Sequence, residues 1–325
     1  MRIAGSAGRT DPGRRRRRNE DSFVNQPPIF AVADGMGGAQ AGEVASRLAA
    51  GAVKESGADL VNLIQEANRR VHQRSLEDPS ASGMGTTLTV AFVEDALVRI
   101  GHVGDSRAYL VRDGELAQLT EDHSLVAELM RSGKLSAEEA ESHPQRSVIT
   151  RALGTDPDVD VDTFAVEPRA GDLFLLCSDG LTTMVDDKTI LSLVEERRTD
   201  LDALAKALIK AANRGGGEDN ITVVAFEIGD GAASGSEDLE QTAVAPAPAA
   251  PEADDEVTLT EADQVPTVDT MVVSADEIAA AYQQEQEPRP SARRKRSFLR
   301  RLFSYLVVLA LLVGIALLIL WGLSR

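Results

Sequence analysis

The stretch Ile29-Phe-Ala-Val-Ala-Asp-Gly-Met-Gly-Gly38 passes from five apolar residues directly into an Asp-Gly turn. Two other aspartates also lie where a strand-like run meets a turn. Asp179 follows the run Leu173-Phe-Leu-Leu-Cys-Ser178, and Asp219 precedes the run Ile221-Thr-Val-Val224. An ionised carboxylate costs several kcal/mol to bury unless something compensates its charge. Three aspartates at strand ends therefore indicate a shared hard cation, Mg²⁺ or Mn²⁺, which takes oxygen ligands.

A simpler interpretation exists for two of these aspartates. Asp34 and Asp179 are each followed by glycine, and Asp-Gly pairs commonly open turns after buried strands. The occurrence of three such aspartates together favours the metal interpretation. In that interpretation the glycine lets the backbone approach the cation closely and offers its carbonyl oxygen.

An arginine run, Arg14 to Arg18, leads into Glu20 and Asp21. A guanidinium group matches a phosphate dianion well because it offers paired donors and stays charged. Carboxylates for two metals and one phosphate-binding arginine are the equipment of phosphate ester hydrolysis, in which metals generate a hydroxide nucleophile. A nucleic-acid patch or a targeting signal is the alternative for this run. No apolar segment follows it and no second basic patch lies near it, so no nucleic-acid partner is expected.

The order of these motifs resembles that of the metal-dependent protein phosphatase family (PPM, type 2C), in its bacterial membrane-anchored Ser/Thr phosphatase branch. The resemblance covers residues 5–228. The matching pieces, in order, are Thr10-Asp-Pro-Gly13 with Arg16 and Asn19-Glu-Asp21; Ala33-Asp-Gly-Met-Gly-Gly38 with Gly42-Glu43; Gly83-Met-Gly-Thr-Thr87; Gly101-His-Val-Gly-Asp-Ser-Arg107; Leu119-Thr-Glu-Asp-His-Ser124; His143-Pro144 with Arg151-Ala-Leu-Gly154; Cys177-Ser-Asp-Gly180; and Glu218-Asp-Asn-Ile-Thr222.

The resemblance implies a role for each matching residue at the metal site. Asp34 bridges two catalytic Mn²⁺ or Mg²⁺ ions, and the Gly35 carbonyl binds the second ion. Asp179 and Asp219 bind the first ion. The catalytic set is then completed by Arg16, which binds the phosphate.

Three further acidic residues have weaker implied roles. Glu20 and Asp21 act through metal-bound waters. Asp122 shares a third, weaker ion with Asp179, and the alternative for Asp122 is a helix N-cap in Asp122-His-Ser124.

Met36 stands where eukaryotic members of the family have a histidine, so the general acid is left unassigned and a metal-bound water is the candidate.

The remaining residues of interest are expected to be structural. The four histidines match no metal-ligand spacing. Asp105 and Arg107 are expected to pin a turn by pairing with each other, and Cys177 is expected to be a small buried hydrophobe.

The predicted fold is α+β, a four-layer sandwich of two central antiparallel β-sheets flanked by helices. Residues 1–229 form this catalytic domain. Residues 123–155 resemble the family's mobile flap, in which Ser136-Ala-Glu-Glu139 predicts a capping box. Strands are expected at 28–33, 86–93, 97–103, 107–112, 160–166, 172–177 and 221–227, and helices at 39–55, 58–75, 123–132, 136–141, 187–196 and 200–213.

The chain beyond the predicted domain changes composition sharply. Residues 230–292 contain fifteen Asp or Glu and one Arg, which predicts an acidic disordered linker. The alternative for part of this linker is a segment whose threonines are phosphorylated and bind a partner. Residues 293–301 are basic, and residues 302–322 carry no charge. A helix over this uncharged run, at ~1.5 Å per residue, would be long enough to span a bilayer. The basic flank predicts a single-pass inner-membrane protein with its catalytic domain in the cytoplasm.

The predicted function is hydrolysis of phosphoserine and phosphothreonine in proteins by metal-activated water. The expected partners are phosphorylated proteins, namely Ser/Thr kinases and their substrates, and the catalytic domain is expected to be monomeric. One alternative is a phosphatase dedicated to a single regulatory switch protein. Another is a scaffold that binds phosphoproteins without turnover, which the complete set of aspartates disfavours.

Overall fold

The computed structural model describes residues 2–37, 41–55, 59–94 and 96–229. The predicted acidic linker (230–292), basic segment (293–301) and transmembrane helix (302–322) lie outside these residues. Among the helices that are described, none is both long enough and apolar enough to cross a membrane. The membrane anchor therefore stays a prediction.

Two five-stranded antiparallel sheets form the centre of the domain. The first sheet has the order β1-β12-β11-β8-β9 and the second has the order β10-β7-β6-β3-β2, while β4 and β5 form a separate small pair. The strands are β1 (Arg2–Asp11), β2 (Ser22–Gln26), β3 (Ile29–Ala33), β4 (Gly35–Met36), β5 (Gly85–Thr86), β6 (Leu88–Glu94), β7 (Leu97–Val103), β8 (Arg107–Arg112), β9 (Glu115–Gln118), β10 (Asp162–Val166), β11 (Leu173–Cys177) and β12 (Ile221–Gly229).

The space between the two sheets is filled by alternate residues of their strands, because side chains along a strand point to opposite faces. Phe30 of the second sheet stacks on Phe226 of the first with ring centroids 4.1 Å apart. Phe174 stacks on the same Phe226 at 5.0 Å. All three rings are fully buried. These stacked rings bind the two sheets to each other.

Helices cover the outer face of each sheet. The apolar side of α1 (Ala41–Glu55) and α2 (Leu60–Glu77) packs on the second sheet. The first sheet is covered by α6 (Asp187–Arg197) and α7 (Leu201–Gly215), which begin at the N-cap aspartates Asp186 and Asp200. The shorter helices are α3 (Leu125–Arg131), α4 (Ala137–Glu141) and α5 (Asp179–Thr182), with a 3-10 turn at Pro79–Ala81. The four-layer α+β prediction is confirmed for the described residues.

Besides the two-residue strands β4 and β5, three strands were not predicted from the sequence, namely β1, β2 and β9. The strand β1 is rich in glycine, alanine and serine, and Ile3 and Thr10 are its only β-branched residues, the type by which strands are recognised. It forms because it pairs with β12 along its whole length, from Arg2 opposite Gly229 to Asp11 opposite Ile221. The strands β2 and β9 are short edge strands. The predicted capping box at Ser136 and Glu139 is confirmed.

We expect Phe226→Ala to lower the free energy of unfolding of residues 2–229 by about 3–5 kcal/mol. The change removes the ring that both Phe30 and Phe174 stack against, and it leaves a cavity between the sheets. Urea unfolding followed by circular dichroism measures the loss. Leu76→Ala is the control, because Leu76 is 74% exposed and should change stability by less than ~0.5 kcal/mol. Equal effects of the two changes would contradict this packing.

Candidate active site

Asp34 lies between β3 and the short strand β4, at the end of the second sheet. Its backbone is fixed by the neighbouring threonines. The Asp34 N–H donates to Thr87 Oγ1 at 2.9 Å, and the Asp34 carbonyl accepts from Thr87 N and Thr86 Oγ1, each at 2.9 Å. The motif Gly83-Met-Gly-Thr-Thr87 thus holds Asp34 in position, and its carboxylate is left for other contacts.

Asp179 and Asp219 come from the first sheet. The strands β11 and β12 are antiparallel neighbours with Cys177 opposite Val223, so the end of β11 lies beside the start of β12. Asp179 follows the first of these strands and Asp219 precedes the second. The structure therefore brings the three predicted aspartates together at one end of the sandwich, as their strong mutual electrostatic interactions show.

The cluster is electrostatically strained. Burial, followed by repulsion from Asp21, Asp179 and Asp219, raises the pKa of Asp34 well above its ordinary value. Burial and repulsion from Asp219 and Asp21 raise the pKa of Asp179 to about 7. Burial also raises the pKa of Asp21 to about 6, although hydroxyl donors oppose this rise. A positive charge placed among these carboxylates would relieve the strain.

Two carboxylate oxygens in the cluster show that the residues fit a cation. Asp21 Oδ2 accepts from Ser178 Oγ at 2.9 Å and from Thr222 Oγ1 at 2.5 Å, but the buried Asp21 Oδ1 has no hydrogen-bond partner. The buried Asp179 Oδ1 also has none. Buried polar atoms are almost always paired, so these two oxygens point to a missing ligand. Oxygen ligands are those that Mg²⁺ and Mn²⁺ prefer.

The carboxylates are near one another but are not arranged as a preformed cage. Within the part of the chain that the structure describes, no three His, Cys, Asp or Glu side chains already meet the geometry of a metal site. The described carboxylates therefore form a buried acidic cluster and not a finished metal cage.

Arg16 is tied directly to the acidic cluster by an ion pair. Its Nη2 donates to Asp219 Oδ2 at 2.9 Å, and both side chains are 28% exposed. Arg14, Arg15, Arg17 and Arg18 are exposed. Arg16 is therefore positioned to present a guanidinium group at the edge of the acidic cluster.

Asn220 fixes the loop that carries Arg16. Its side-chain nitrogen donates to the carbonyls of Pro12 and Arg18 at 3.0 and 2.9 Å. Its side-chain oxygen accepts from Glu20 N at 2.7 Å. The sequence motif Glu218-Asp-Asn220 thus supplies both an acidic residue and the residue that shapes the arginine loop.

Gly35 lies where a side chain would not fit. A Cβ atom at Gly35 would be 2.1 Å from the Gly42 carbonyl oxygen at the start of α1 and 2.5 Å from the Glu20 carbonyl oxygen. The Glu20 carboxylate lies against Gly42 in turn, where a Cβ would be 2.6 Å from Glu20 Oε2. Glu20 and Gly35 therefore lie at the same end of the sandwich as Asp34. Their metal-binding roles remain predictions.

Asp122 has a different environment from the one expected. Arg107 donates to both of its carboxylate oxygens, from Nε at 2.9 Å and from Nη2 at 2.7 Å. Asp122 does not cap a helix either, because α3 begins after Ser124, whose Oγ accepts from Ala127 N. The predicted pairing of Arg107 with Asp105 is wrong, since the partner of Arg107 is Asp122.

Asp105 is the residue that the sequence analysis missed. It is only 9% exposed, and burial followed by repulsion from Asp179 and Asp122 raises its pKa well above the ordinary value. Its neighbour Ser106 lies with its Oγ 2.8 Å from Thr87 Oγ1, the atom that accepts from Asp34 N, so Asp105 lies near the acidic cluster. Its position in Gly104-Asp-Ser-Arg107, directly after β7, is the same strand-end signal that identified Asp34, and it was available in the sequence.

The histidines and Cys177 have structural roles. His102 Nδ1 and Thr89 Oγ1 are 2.9 Å apart, and His123 Nδ1 accepts from Gly104 N at 3.0 Å. Cys177 is fully buried in β11, and burial raises the pKa of its thiol to about 12, which excludes a thiolate nucleophile there. Met36 packs with Ile149 and Ala152 of the predicted flap.

Comparisons with known proteins find similar phosphatases. A family model described as Protein phosphatase 2C matches residues 14–202. The serine/threonine phosphatase stp of Listeria monocytogenes is 46% identical over 237 residues, which cover 67% of this chain and 94% of that relative. The serine/threonine protein phosphatase PstP of Mycobacterium tuberculosis is 44% identical over 233 residues, covering 69% of this chain and 45% of that relative.

Solved structures show the same fold. The crystal structure of the Mycobacterium tuberculosis serine/threonine phosphatase PstP has a TM-score of 0.66 and 41% identity, and the match covers 70% of this chain and 100% of that chain. A structure of the catalytic domain of PstP in complex with two manganese ions has a TM-score of 0.63 and 39% identity, covering 70% and 99%.

Proposed function

The chain belongs to the protein phosphatase 2C family and is a Ser/Thr phosphatase, and we propose that it acts on phosphoserine and phosphothreonine in cytoplasmic proteins while tethered to a membrane. As in its family, Mn²⁺ or Mg²⁺ is the cofactor. The observation that carries the proposed chemistry is the acidic cluster with two unpartnered buried oxygens beside Arg16. The finer roles of single residues and the membrane tether are part of the proposal.

Asp34, Asp179 and Asp219 would hold the two catalytic cations, with Gly35, Glu20 and Asp21 around them. Bound there, the cations supply Lewis acidity, which activates water at neutral pH and neutralises phosphoryl oxygens. Asp34 is our candidate for serving both cations, because it interacts with Asp21, Asp179 and Asp219. Ser178 and Thr222 fix the orientation of Asp21 by donating to one of its oxygens, and they leave the other oxygen free for the site.

Arg16 would bind the non-bridging oxygens of the phosphate. Its guanidinium has five donors, and the ion pair with Asp219 engages the Nη2 group. The remaining donors can face the substrate, and the carboxylate of Asp219 holds the group in place. The phosphoryl group would be transferred directly to water, and the buried Cys177 would not act as a nucleophile, because burial raises the pKa of its thiol.

We propose Asp105 as a second candidate, beside Asp122, for the third, weaker cation site with Asp179. Asp122 is engaged by Arg107, whereas Asp105 is repelled by Asp179 and Asp122 and is only partly compensated by Arg107. A cation shared by Asp105 and Asp179 would remove this repulsion.

We expect Asp105→Asn to weaken binding of the third Mn²⁺ by at least about tenfold and to preserve the fold. Asp122→Asn should instead destabilise the domain by about 1–3 kcal/mol, because it leaves the partly buried Arg107 without its charged partner. Mn²⁺ titration followed by electron paramagnetic resonance measures the first effect, and thermal unfolding measures the second. A loss of Mn²⁺ binding in Asp122→Asn alone would favour Asp122 over Asp105 as the ligand of the third cation.

The physiological substrates are proposed to be Ser/Thr kinases and the proteins they phosphorylate. The support is that the similar proteins of Listeria monocytogenes and Mycobacterium tuberculosis are serine/threonine phosphatases. A panel of phosphoserine, phosphothreonine and phosphotyrosine peptides with unrelated flanking residues tests this breadth. Hydrolysis of many phosphoserine and phosphothreonine peptides supports the proposal, and hydrolysis of one regulatory protein alone would favour the dedicated phosphatase.

The membrane tether is proposed from residues 302–322, a run of 21 residues without a charge that follows the basic residues 293–301. We expect the full chain to pellet with membranes after alkaline carbonate washing and residues 1–301 to be released. Both forms should hydrolyse a soluble phosphopeptide at similar rates. Release of the full chain by carbonate would contradict the tether.

A further inference from the structure

A cleft of about 530 Å³ lies between β1 and α7, on the outer side of the first sheet. Its rim carries five cations, which we call the basic cleft: Arg9, Arg14, Lys206, Lys210 and Arg214. Arg14 belongs to the loop that also holds Arg16, and its N–H donates to the Gly217 carbonyl at 2.7 Å. The basic cleft is therefore next to the acidic cluster but is not part of it.

The cations on α7 form one continuous stripe. Lys206, Lys210 and Arg214 are spaced by four residues, so they lie on the same helix face. Like charges at this spacing destabilise a helix by a few tenths of a kcal/mol per pair. Arg214 gains some compensation from the C-terminal end of the helix dipole, but Lys210 is in the middle of α7 and gains little.

Few carboxylates compensate the basic cleft. Asp202 pairs with Arg9 at 2.6 Å and with Lys206 at 2.8 Å. Asp11 lines the cleft, but its Oδ1 accepts from Gly13 N and Asn213 Nδ2. Among the described residues, no carboxylate lies within 4.0 Å of the charged groups of Arg14, Lys210 or Arg214. On α2, by contrast, Glu66 faces its neighbouring arginines.

This positive surface occurs on a protein with a formal charge of −18. A strongly acidic chain that keeps a concentrated positive cleft has a surface suited to an acidic polypeptide segment. The chain itself contains such a segment. Residues 237–256 hold seven Asp or Glu and no Lys or Arg.

The acidic segment is close enough to reach the cleft. The described chain leaves the domain at Gly229, which pairs with Arg2 at the start of β1. Arg9 lies seven residues farther along the same strand, or ~23 Å away at 3.3 Å per residue. The eight Cα–Cα steps from Gly229 to Glu237 can extend over ~26 Å. Being on the same chain gives the segment a high effective concentration at the cleft.

We propose that the basic cleft binds the acidic segment 237–256 of the same chain. The binding is electrostatic, with Lys210, Arg214 and Arg14 as the main contacts. Because Arg14 is two residues from Arg16, the bound segment lies beside the phosphate-binding residue and competes with acidic sequences in substrates. The inference concerns binding and does not depend on the proposed roles of the metal ligands.

The first test uses residues 2–229 and a fluorescein-labelled peptide of residues 236–257. This fragment is suitable, because the Mycobacterium tuberculosis phosphatase crystallised as a chain that matches only 70% of this one, over 100% of its own length. Fluorescence anisotropy should show binding that weakens steeply with salt. The double variant Lys210→Glu/Arg214→Glu should lose about tenfold in affinity. Lys210→Ala/Arg214→Ala should show a smaller loss of affinity. This variant replaces the charge-reversed one in the test if charge reversal perturbs folding.

The control variant Arg69→Glu/Arg74→Glu carries the same change in net charge on α2, against the other sheet. It should bind the peptide as the unchanged domain does. Equal losses in the two charge-reversed variants would mean diffuse attraction and would overturn the proposal. A peptide with Gln and Asn in place of Glu and Asp should not bind, and its binding would overturn the electrostatic account.

The second test uses the full chain in nanodiscs and a zero-length carbodiimide cross-linker. We expect Lys210 to be joined to an acidic residue of 237–256, as mapped by peptide mass spectrometry. Failure of this cross-link would overturn the proposal. The proposal would also be overturned if residues 2–229 did not bind the peptide but sedimented with phosphatidylglycerol vesicles in a way that depends on Lys210. In the latter case the occupant would be an anionic membrane.

Discussion

Asp34→Asn should lower kcat for a phosphothreonine peptide by about 10⁴-fold, with little change in the fold. The substitution keeps the shape of the side chain and its place between Thr86 and Thr87, which bind its backbone. It removes the charge of the carboxylate that interacts with Asp21, Asp179 and Asp219. Phosphate release under saturating Mn²⁺ measures the loss.

The matched control for this variant is Asp158→Asn. Asp158 is exposed on the loop before β10, so the same chemical change should leave kcat within about twofold. A kcat for Asp34→Asn within tenfold of the unchanged enzyme would remove Asp34 from the centre of the mechanism.

Asp34→Asn should also be more stable than the unchanged protein when Mn²⁺ is absent. The pKa of Asp34 is higher in the folded state than in the unfolded state. Such an acid lowers stability as pH rises above its unfolded pKa, and the full cost is present above the folded pKa. Asn removes this cost, so we expect the Tm in a chelator to rise by about 2–4 °C. Saturating Mn²⁺ should then stabilise the unchanged protein more than the variant.

Arg16→Ala should lower kcat/KM by about 10²-fold. The substitution removes the guanidinium beside the acidic cluster and leaves Asp219 without its ion-pair partner. Arg16→Lys should recover only part of the activity, because a lysine keeps the charge but not the paired donors that match a phosphate. Steady-state kinetics on one phosphopeptide separate the effect on KM from the effect on kcat.

Arg17→Ala is the control for Arg16→Ala. Arg17 is the next arginine of the run and is exposed, so its removal should change kcat/KM by less than about threefold. Equal losses in the two variants would show that the arginine run acts through its general charge. Arg16 would then have no specific phosphate-binding role.

The sequence predicted the central sheets and the gathering of the aspartates because both depend on local patterns. Asp34, Asp179 and Asp219 each adjoin an apolar strand, and antiparallel pairing of β11 with β12 brings two of them to one edge. The strand β1 was not predictable in this way. Its small residues carry no strand pattern, and only its pairing with β12 makes it a strand.

The errors at the site have a similar cause. The partner of Arg107 is Asp122, 15 residues away, rather than Asp105, which is only two residues away. Proximity in sequence suggested a local ion pair, but Asp105 lies in the bend between β7 and β8, and its side chain is not obliged to meet that of Arg107. The contact to Asp122 depends on how β8 and β9 pair, and that pairing was not foreseen. Burial of Asp105 was likewise a tertiary property.

Direct measurement of Mn²⁺ binding tests the central claim, that the acidic cluster holds the cations. Isothermal titration of residues 2–229 with Mn²⁺ should show at least two bound ions, and Asp34→Asn should lose at least one of them. Asp158→Asn should bind as the unchanged domain does. If Asp34→Asn binds Mn²⁺ with unchanged stoichiometry and affinity, the cations lie elsewhere and the account of the site is wrong.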